Sequence, residues 1–230
     1  MNIPKSIAIV PDGNRRFAKR LLKRPWKGHE WGVEKLKQVI KWSQELGIKT
    51  ITFYTLSLEN LEKRPKIELD FLIRIAKKEI NNILSDENSF VFKDKIRVYF
   101  LGNMKKLPED MQEGMKKLME KTKHHDNFRL NLAVAYGGRQ EIINACKRIS
   151  KDSPATIDEK TFRTYLETNG TADPDLVIRT GGEKRLSNFL LFQSAYSELA
   201  FVDPMWPEFT KEDFNKVIED FSERERRFGK

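Results

Sequence analysis

Residues 11–16 read Pro-Asp-Gly-Asn-Arg-Arg and follow directly on the apolar run Ser6 to Val10. One carboxylate, Asp12, and a glycine turn thus stand at the end of a predicted buried strand. A strongly basic stretch comes next, with seven Lys or Arg and no acid between Arg15 and Lys27. A lone aspartate ringed by cations suits a site that holds a multivalent anion and a metal together. Gly13 lets the backbone approach a ligand closely, and the helix expected after it offers N–H groups to a phosphate. Asp12 supplies the hard oxygen that Mg²⁺ prefers when it bridges diphosphate oxygens. The competing reading of the same residues is an Asp-Gly turn leading into a solvated basic helix.

A second constellation runs Arg179-Thr180-Gly181-Gly182-Glu183-Lys184-Arg185-Leu186-Ser187-Asn188. Two arginines flank a Gly-Gly turn with a hydroxyl just beyond, and guanidinium forks match phosphate oxygens two at a time. A surface turn is the alternative. His29, placed before a predicted helix, reads either as a structural hydrogen-bonding residue or as a phosphate ligand. His124 and His125 read as surface. Metal-ligand His/Cys spacing and the P-loop pattern are both absent. Trp26, Trp31, Trp42 and Trp206 default to core packing. The basic stretch would suit nucleic acid, but Phe17, Leu21 and Leu22 are mixed into it and no recognition-motif spacing accompanies it. Nucleic acid is therefore not an expected partner.

The elements that must position these residues are legible in the hydrophobic pattern. Short, continuous apolar runs recur at Ser6 to Val10, Thr50 to Leu56, Ile96 to Leu101, Leu130 to Ala135, Asp175 to Ile178 and Leu199 to Val202. Continuous rather than alternating runs are how strands buried on both faces read. Helical periodicity lies between them: Val33 to Leu46 ended by Gly47, a segment opened by Pro65, another opened by Pro108, then Gly138 to Ile149, Asp158 to Glu167 and Thr210 to Phe221. The polar stretch Lys151 to Thr156 reads as a loop. Strand-helix alternation predicts an α/β protein with one domain over residues 1–230: a mostly parallel, twisted sheet of about six strands flanked by helices. Ligands of such sheets bind beyond the carboxyl ends of the strands. Asp12 to Asn14, Ser57 to Asn60, Tyr136 to Arg139 and Arg179 to Gly182 all fall there.

Composition sets the frame. With 230 residues, 39% hydrophobic and 33% charged, the chain can build a core under a heavily charged surface. No apolar run is long enough to span a bilayer and no secretory leader is recognisable, and the single cysteine, Cys146, excludes an internal disulfide. These features predict a cytoplasmic location. The net charge of +9 is uneven, with twelve Lys or Arg against four acids in residues 1–50. Nucleic acid, an acidic membrane and a phosphorylated small molecule would each account for that excess.

Taken in order, the motifs resemble the cis-prenyltransferase family of the undecaprenyl diphosphate synthase kind. The likeness runs through Ile7 to Asn14, Gly28-His29, Ser57 to Asn60 with Arg64-Pro65, Leu130 to Ala133, and Tyr136 to Arg139. It continues through Asp175 to Glu183, Ser187 to Leu191, Ala195 to Leu199, and Arg224 to Gly229. The resemblance implies a Mg²⁺-dependent condensation of isopentenyl diphosphate with an allylic prenyl diphosphate. The product would be a polyprenyl diphosphate with new Z double bonds, for a glycan-carrier lipid. It further implies that Asp12 binds Mg²⁺ and assists diphosphate departure, that Gly13, Asn14, Arg16, His29 and Arg64 hold the allylic diphosphate, and that Asn14 takes part in proton removal. Arg179, Arg185 and Ser187 match the isopentenyl diphosphate site, and Ser57, Glu59 and Asn60 the loop beside the reacting centre. Glu198 matches a residue tied to Mg²⁺. Arg227 and Gly229 belong to a tail motif that reaches a partner subunit, which implies a homodimer. A hydrophobic tunnel for the growing chain, and peripheral membrane contact at product release, complete the expectation.

Some positions depart from the bacterial pattern. Pro25 stands where an arginine usually precedes the Gly-His pair, with Arg24 adjacent. Leu61 stands where an aromatic residue follows Glu-Asn, and Glu62-Lys63 lengthens that loop by one residue. Lys184 replaces a histidine, while Pro11 and Arg15 resemble archaeal members. The changes at Pro25 and Leu61 touch the allylic side. They leave open an irregular, head-to-middle condensation of two allylic diphosphates. A non-catalytic partner subunit is disfavoured by the presence of both the Asp-Gly-Asn and the Arg-Thr-Gly-Gly segments.

Overall fold

The computed structural model describes residues 2–224; Arg227 and Gly229 lie outside the described residues. Along the chain come β1 (Ser6–Val10), α1 (Asn14–Arg20), α2 (Gly28–Glu45), β2 (Thr50–Ser57), α3 (Leu58–Lys63), α4 (Lys66–Ser85) and α5 (Phe90–Lys93). They are followed by β3 (Ile96–Leu101), α6 (Glu109–Thr122), β4 (Phe128–Tyr136), α7 (Gly138–Asp152), α8 (Glu159–Thr164), β5 (Leu176–Arg179), β6 (Glu198–Phe201) and α9 (Lys211–Glu223). The strands form one six-stranded sheet in the order β3-β4-β2-β1-β5-β6, every pairing parallel. This is the α/β class and strand number that the apolar runs predict.

The central strands β1 and β5 are buried at every position. One face carries the larger core, built around Phe53, Ile7, Ile9 and Val98 with side chains from α2, α4, α6 and α9. The other face packs Ala8, Val10, Tyr54, Tyr136 and Val177 against Phe189 and Leu190. Burial on both faces explains why these strands read as unbroken apolar runs.

Several elements differ from their predicted spans, α8 ending at Thr164 rather than Glu167 among them, and three of the differences have a clear local reason. β4 extends past the apolar run because its polar residues are satisfied: Arg129 Nη1 donates to the Gly170 carbonyl at 2.7 Å, and Asn131 Nδ2 donates to Thr52 Oγ1 at 3.0 Å. α2 starts at Gly28 rather than Val33, so His29 sits in its first turn. Two glycines disfavour helix by propensity, yet packing demands them: a Cβ at Gly28 would lie 1.9 Å from the Asn14 carbonyl oxygen, and one at Gly32 2.4 Å from Asn14 Oδ1. α7 runs on to Asp152 and closes at Ser153, whose φ of 45° forms a left-handed cap. Helix therefore takes the start of the predicted 151–156 loop. α9 begins with a reciprocal capping box between Thr210 and Asp213. Among the described residues no helix is long and apolar enough to cross a membrane.

Candidate active site

β1 has β2 on one side and β5 on the other, so the connections of the sheet diverge beside its carboxyl end. Open α/β sheets bind ligands at such a point. Val10 of β1 is in register with Arg179 of β5, and Asp12 follows two residues beyond. Its backbone is held from the far end of the chain: the Asp12 carbonyl accepts the Trp206 N–H at 2.8 Å and the Thr180 hydroxyl at 2.8 Å. The Gly13 N–H donates to Asp12 Oδ1 at 2.6 Å. Gly13 has φ +104°, and an added Cβ would stand 2.7 Å from Met205 Cβ, so both backbone and space require glycine.

Arg179 is 4% exposed and ties the two predicted motifs together. Its Nη2 donates to Asp12 Oδ2 at 2.8 Å, and its Nη1 donates to Ser187 Oγ at 2.7 Å and to the Arg185 carbonyl at 2.6 Å. Its Nε is buried without a partner among the described residues. Arg16 Nη2 lies 3.5 Å from Asp12 Oδ1 and Arg16 Nη1 3.9 Å from Glu183. Gly181, at φ +84°, leaves room for that guanidinium; a Cβ there would be 2.6 Å from Nη2. Arg185 is exposed and paired with Glu183.

The loop that presents Ser187 is strained. Ser187 and Asn188 hold φ of 50° and 67°, a conformation that costs each on the order of 1–3 kcal/mol. Asn188 offsets that cost by fastening its loop to α3 and α7 with three hydrogen bonds. Its Nδ2 donates to Glu59 Oε1 at 2.7 Å, its Oδ1 accepts the Arg139 N–H at 2.8 Å, and its carbonyl accepts the Gly138 N–H at 2.8 Å. Glu59 is in the first turn of α3, which Ser57 caps by accepting the Asn60 N–H at 3.0 Å. Burial alone would raise the Glu59 carboxyl; a backbone N–H and the Asn188 and Ser57 side chains outweigh it and hold the group below its usual value. The Asn60 side chain is exposed.

A third cluster lies on the helix side. Glu68 of α4 is 2% exposed. Its Oε1 accepts from Arg64 Nη1 at 2.8 Å and stands 3.3 Å from His29 Nε2, while its Oε2 lies 3.6 Å from Arg15 Nε. Arg64 Nη1 is also 3.2 Å from His29 Nε2. Burial pushes the Glu68 carboxyl up, but the His29 hydrogen bond and the Arg64 and Arg15 charges more than reverse it, so the group stays ionised. Burial lowers His29 below its ordinary value, against the opposing pull of Glu68. At neutral pH the cluster is thus an arginine, a neutral imidazole and a carboxylate.

Pro11, Asn14 and His29 lie at one end of a cavity of about 210 Å³ whose remaining walls are mainly apolar residues of α2, α4, α6 and the sheet, Leu36, Leu72, Ile80, Phe100 and Leu132 among them. Its charged lining residues, Lys37 and Glu79, pair with each other at 2.9 Å. Asn14 Nδ2 donates to the Pro11 carbonyl at 2.9 Å, and its Oδ1 is buried with no partner among the described residues.

The structure thus brings Asp12, Gly13, Arg16, Arg179 and Ser187 to one rim, with Asn14 between that rim and the cavity. His29 and Arg64 join through Glu68, and Ser57 and Glu59 through Asn188. Glu198 does not join them. It opens β6 in register with Leu176, at the amino end of β5, and pairs with Arg224 at 2.9 Å. Three strand residues separate that level from Arg179, about 10 Å along the sheet. Asp12 and Glu198 of one chain therefore cannot share an ion, and among the described residues no three His, Cys, Asp or Glu converge on a metal position. Arg24, next to the position of the missing arginine, is exposed and lies over the Trp26 ring, 5.7 Å from its centroid. His125 is half-buried, with Nδ1 2.9 Å from the Ile96 carbonyl, rather than a plain surface residue.

Sequence reasoning missed Glu68, Trp206 and the fastening role of Asn188. Glu68 had one available signal, its position one helical turn after Arg64.

A cationic rim opening on a hydrocarbon-lined cavity is the geometry of an α/β protein that handles an anionic headgroup carrying an apolar tail. Residues 10–229 match the model of the undecaprenyl diphosphate synthase family, and the chain belongs to that family. It is 45% identical over its whole length to the geranylgeranyl-diphosphate-specific tritrans,polycis-undecaprenyl-diphosphate synthase of Thermococcus kodakarensis, covering 88% of that protein. It is 46% identical over 99% of its length to the protein of the same name in Methanopyrus kandleri, covering 85% of it. Among solved structures, lavandulyl diphosphate synthase of Lavandula x intermedia, in complex with dimethylallyl diphosphate, superimposes with a TM-score of 0.92 at 34% identity, covering 99% of each chain. The protein is a prenyltransferase.

Proposed function

We propose that this prenyltransferase condenses isopentenyl diphosphate with an allylic prenyl diphosphate, forming Z double bonds and a polyprenyl diphosphate destined for a glycan-carrier lipid. Geranylgeranyl diphosphate is the allylic partner to test first, because the relatives at 45% and 46% identity are specific for it. The observation that carries the reading is the Asp12 carboxylate, held between Arg179 and Arg16 beside an apolar cavity.

Two diphosphates set close together repel each other, and fixed cations must offset that repulsion. Arg16, His29, Arg64 and the Gly13-Asn14 backbone take the allylic headgroup, whose tail enters the cavity. Arg179, Arg185 and Ser187 take the second diphosphate. One carboxylate suits Mg²⁺, which typically binds through one or two carboxylates together with substrate phosphates rather than in an all-protein cage. Held by Asp12, the ion would neutralise charge on the departing diphosphate. As that charge develops, Arg16 and Arg64 stabilise it. The allylic carbon–oxygen bond breaks to release diphosphate, and the terminal carbon–carbon double bond of isopentenyl diphosphate attacks that carbon. The proton lost from the isopentenyl unit passes to an oxygen of the released diphosphate; Asn14, whose Oδ1 has no partner among the described residues, lies beside that path. Ser57, Glu59 and Asn60 border the reacting centre. Glu198 would reach an ion at Asp12 only from a second copy of the chain, in the homodimer to which Arg227 and Gly229 would contribute. Elongation of the cavity into a tunnel would admit the growing chain.

An irregular head-to-middle condensation is the competing reading, motivated by Leu61 and by the likeness to lavandulyl diphosphate synthase. One incubation separates the two. Purified protein with Mg²⁺ is supplied with labelled isopentenyl diphosphate and, in turn, dimethylallyl, geranyl, farnesyl and geranylgeranyl diphosphates. A ladder of longer products that requires isopentenyl diphosphate supports the proposal. A single product formed from allylic diphosphate alone overturns it.

A further inference from the structure

Residues 19–24 read Lys-Arg-Leu-Leu-Lys-Arg, and all six side chains are exposed. Leu21 is 46% exposed; Leu22 is 96% exposed and adopts φ 54°. A left-handed, solvent-facing turn favours Gly or Asn. The Leu22 N–H donates to the Lys19 carbonyl at 3.0 Å and the Lys23 N–H to the Ala18 carbonyl at 2.9 Å, so this turn caps α1. Leucine takes the place where glycine is usual, and its side chain stays in solvent. Two leucines at a loop tip framed by four cations match a segment that lies at the boundary of an acidic bilayer, with hydrocarbon inward and ammonium and guanidinium groups at the headgroups. Arg20 is committed to Glu208, whereas Lys19 and Lys23 have no ion pair among the described residues. A nucleic acid would engage the cations and leave the leucines in water.

The loop joins α1 to α2, and the first turns of those helices supply Asn14 and His29 to the cavity lining. A surface bound at the loop therefore lies close to the end of the cavity where the headgroup site is. We propose that residues 19–24 are a docking face for an anionic lipid surface, with Leu21 and Leu22 entering the acyl boundary while Lys19, Lys23 and Arg24 meet the headgroups. The face stands on its own composition and exposure; only its use, delivery of an apolar product to the membrane, rests on the reaction proposed above.

The test is sedimentation of the full-length protein with vesicles of phosphatidylcholine, pure or mixed with phosphatidylglycerol, without substrate. Binding is expected with the acidic vesicles alone and weakens as salt rises. Leu22→Asp should reduce it roughly tenfold and Lys23→Glu about fivefold, while Ile157→Asp, an exposed residue elsewhere, leaves it unchanged. Circular dichroism of each variant checks that it is folded. Absence of binding to acidic vesicles, equal binding by the Leu22 variant, or preference for a nucleic-acid duplex over vesicles overturns the assignment. Turnover of soluble short-chain substrates, measured separately, reports on the reaction and not on the face.

Discussion

Arg179 Nη2 donates to Asp12 Oδ2 at 2.8 Å across the gap between β1 and β5. The carboxylate expected to bind a metal is thus already neutralised by the arginine expected to bind a diphosphate. Ligands arriving at either group must redistribute that pair, which couples the two halves of the site. Asp12→Ala removes the carboxylate and frees Arg179. Turnover should fall by about 10²–10³ or more, the scale seen when one stabilising group is lost from a transition state. Far-ultraviolet circular dichroism should be unchanged, because the fastening of this loop runs through the Asp12 carbonyl. Near-normal turnover would sink the site assignment.

Metal removal provides a second check. With one carboxylate at the rim, affinity for Mg²⁺ should depend on diphosphate. Chelation by EDTA should stop turnover and added Mg²⁺ should restore it, while the melting temperature of the substrate-free protein stays the same with or without Mg²⁺. A large Mg²⁺ stabilisation of the free protein would point to a prebuilt metal cage instead.

Glu68 orders its cluster from beneath. Glu68→Gln keeps the shape but removes the charge that orients Arg64 and His29. The KM for the allylic diphosphate should rise about tenfold with a smaller change in kcat, as follows when a binding interaction is lost uniformly. Glu68→Ala leaves the largely buried Arg64 guanidinium uncompensated and should cost about 3–5 kcal/mol in urea unfolding.

Asn188 makes a different prediction. Asn188→Ala loses the bonds to Glu59 and to the Arg139 N–H and puts alanine, which tolerates the left-handed region less well than asparagine, at φ 67°. About 1–3 kcal/mol of stability should be lost, and the KM for isopentenyl diphosphate should rise as Ser187 loosens. If KM is unchanged while stability falls, Asn188 serves the fold alone.

The pH dependence of stability has an identifiable contributor packed against the first turn of α7. Glu167 accepts the Gly102 N–H at 2.5 Å, and burial, followed by the Glu141 charge, raises its carboxyl above the usual 4.5. The folded state then holds its proton to higher pH than the unfolded chain does, so stability from this group falls as pH rises through that window. Glu167→Gln should flatten the decline in thermal melts taken from acid to neutral pH. An unaltered slope would show that the burial of Glu167 has no energetic consequence.

Much of the architecture was legible before any coordinates. Strands buried on both faces read as nearly unbroken apolar runs, so β1 and β5 declared themselves, whereas β3 at the sheet edge exposes Arg97. Asp12 and Arg179 were marked by local chemistry: a carboxylate or guanidinium beside glycines at a strand end. Where polar residues lie inside an element, as at Arg129 and Asn131 in β4, the local pattern understated its length, because their partners at Gly170 and Thr52 are distant in sequence. The first turn of α2 was hidden for a related reason. Gly28 and Gly32 look like helix breakers until the close approach of Asn14 explains them.

Residue type and spacing alone therefore determined the parallel α/β class and the strands and marked the two candidate motifs, since each rests on interactions among near neighbours. Only the tertiary structure decided which groups meet. It joined Arg179 to Asp12, placed Glu68 under His29 and Arg64, and set Glu198 at the other end of the sheet. The separation of Glu198 from Asp12 depends on the register of β5 with β6, and the Asp12 turn on Trp206 near the far end of the chain. Long-range pairings of this kind leave no local period in a sequence, and they are what turn two motifs into one site.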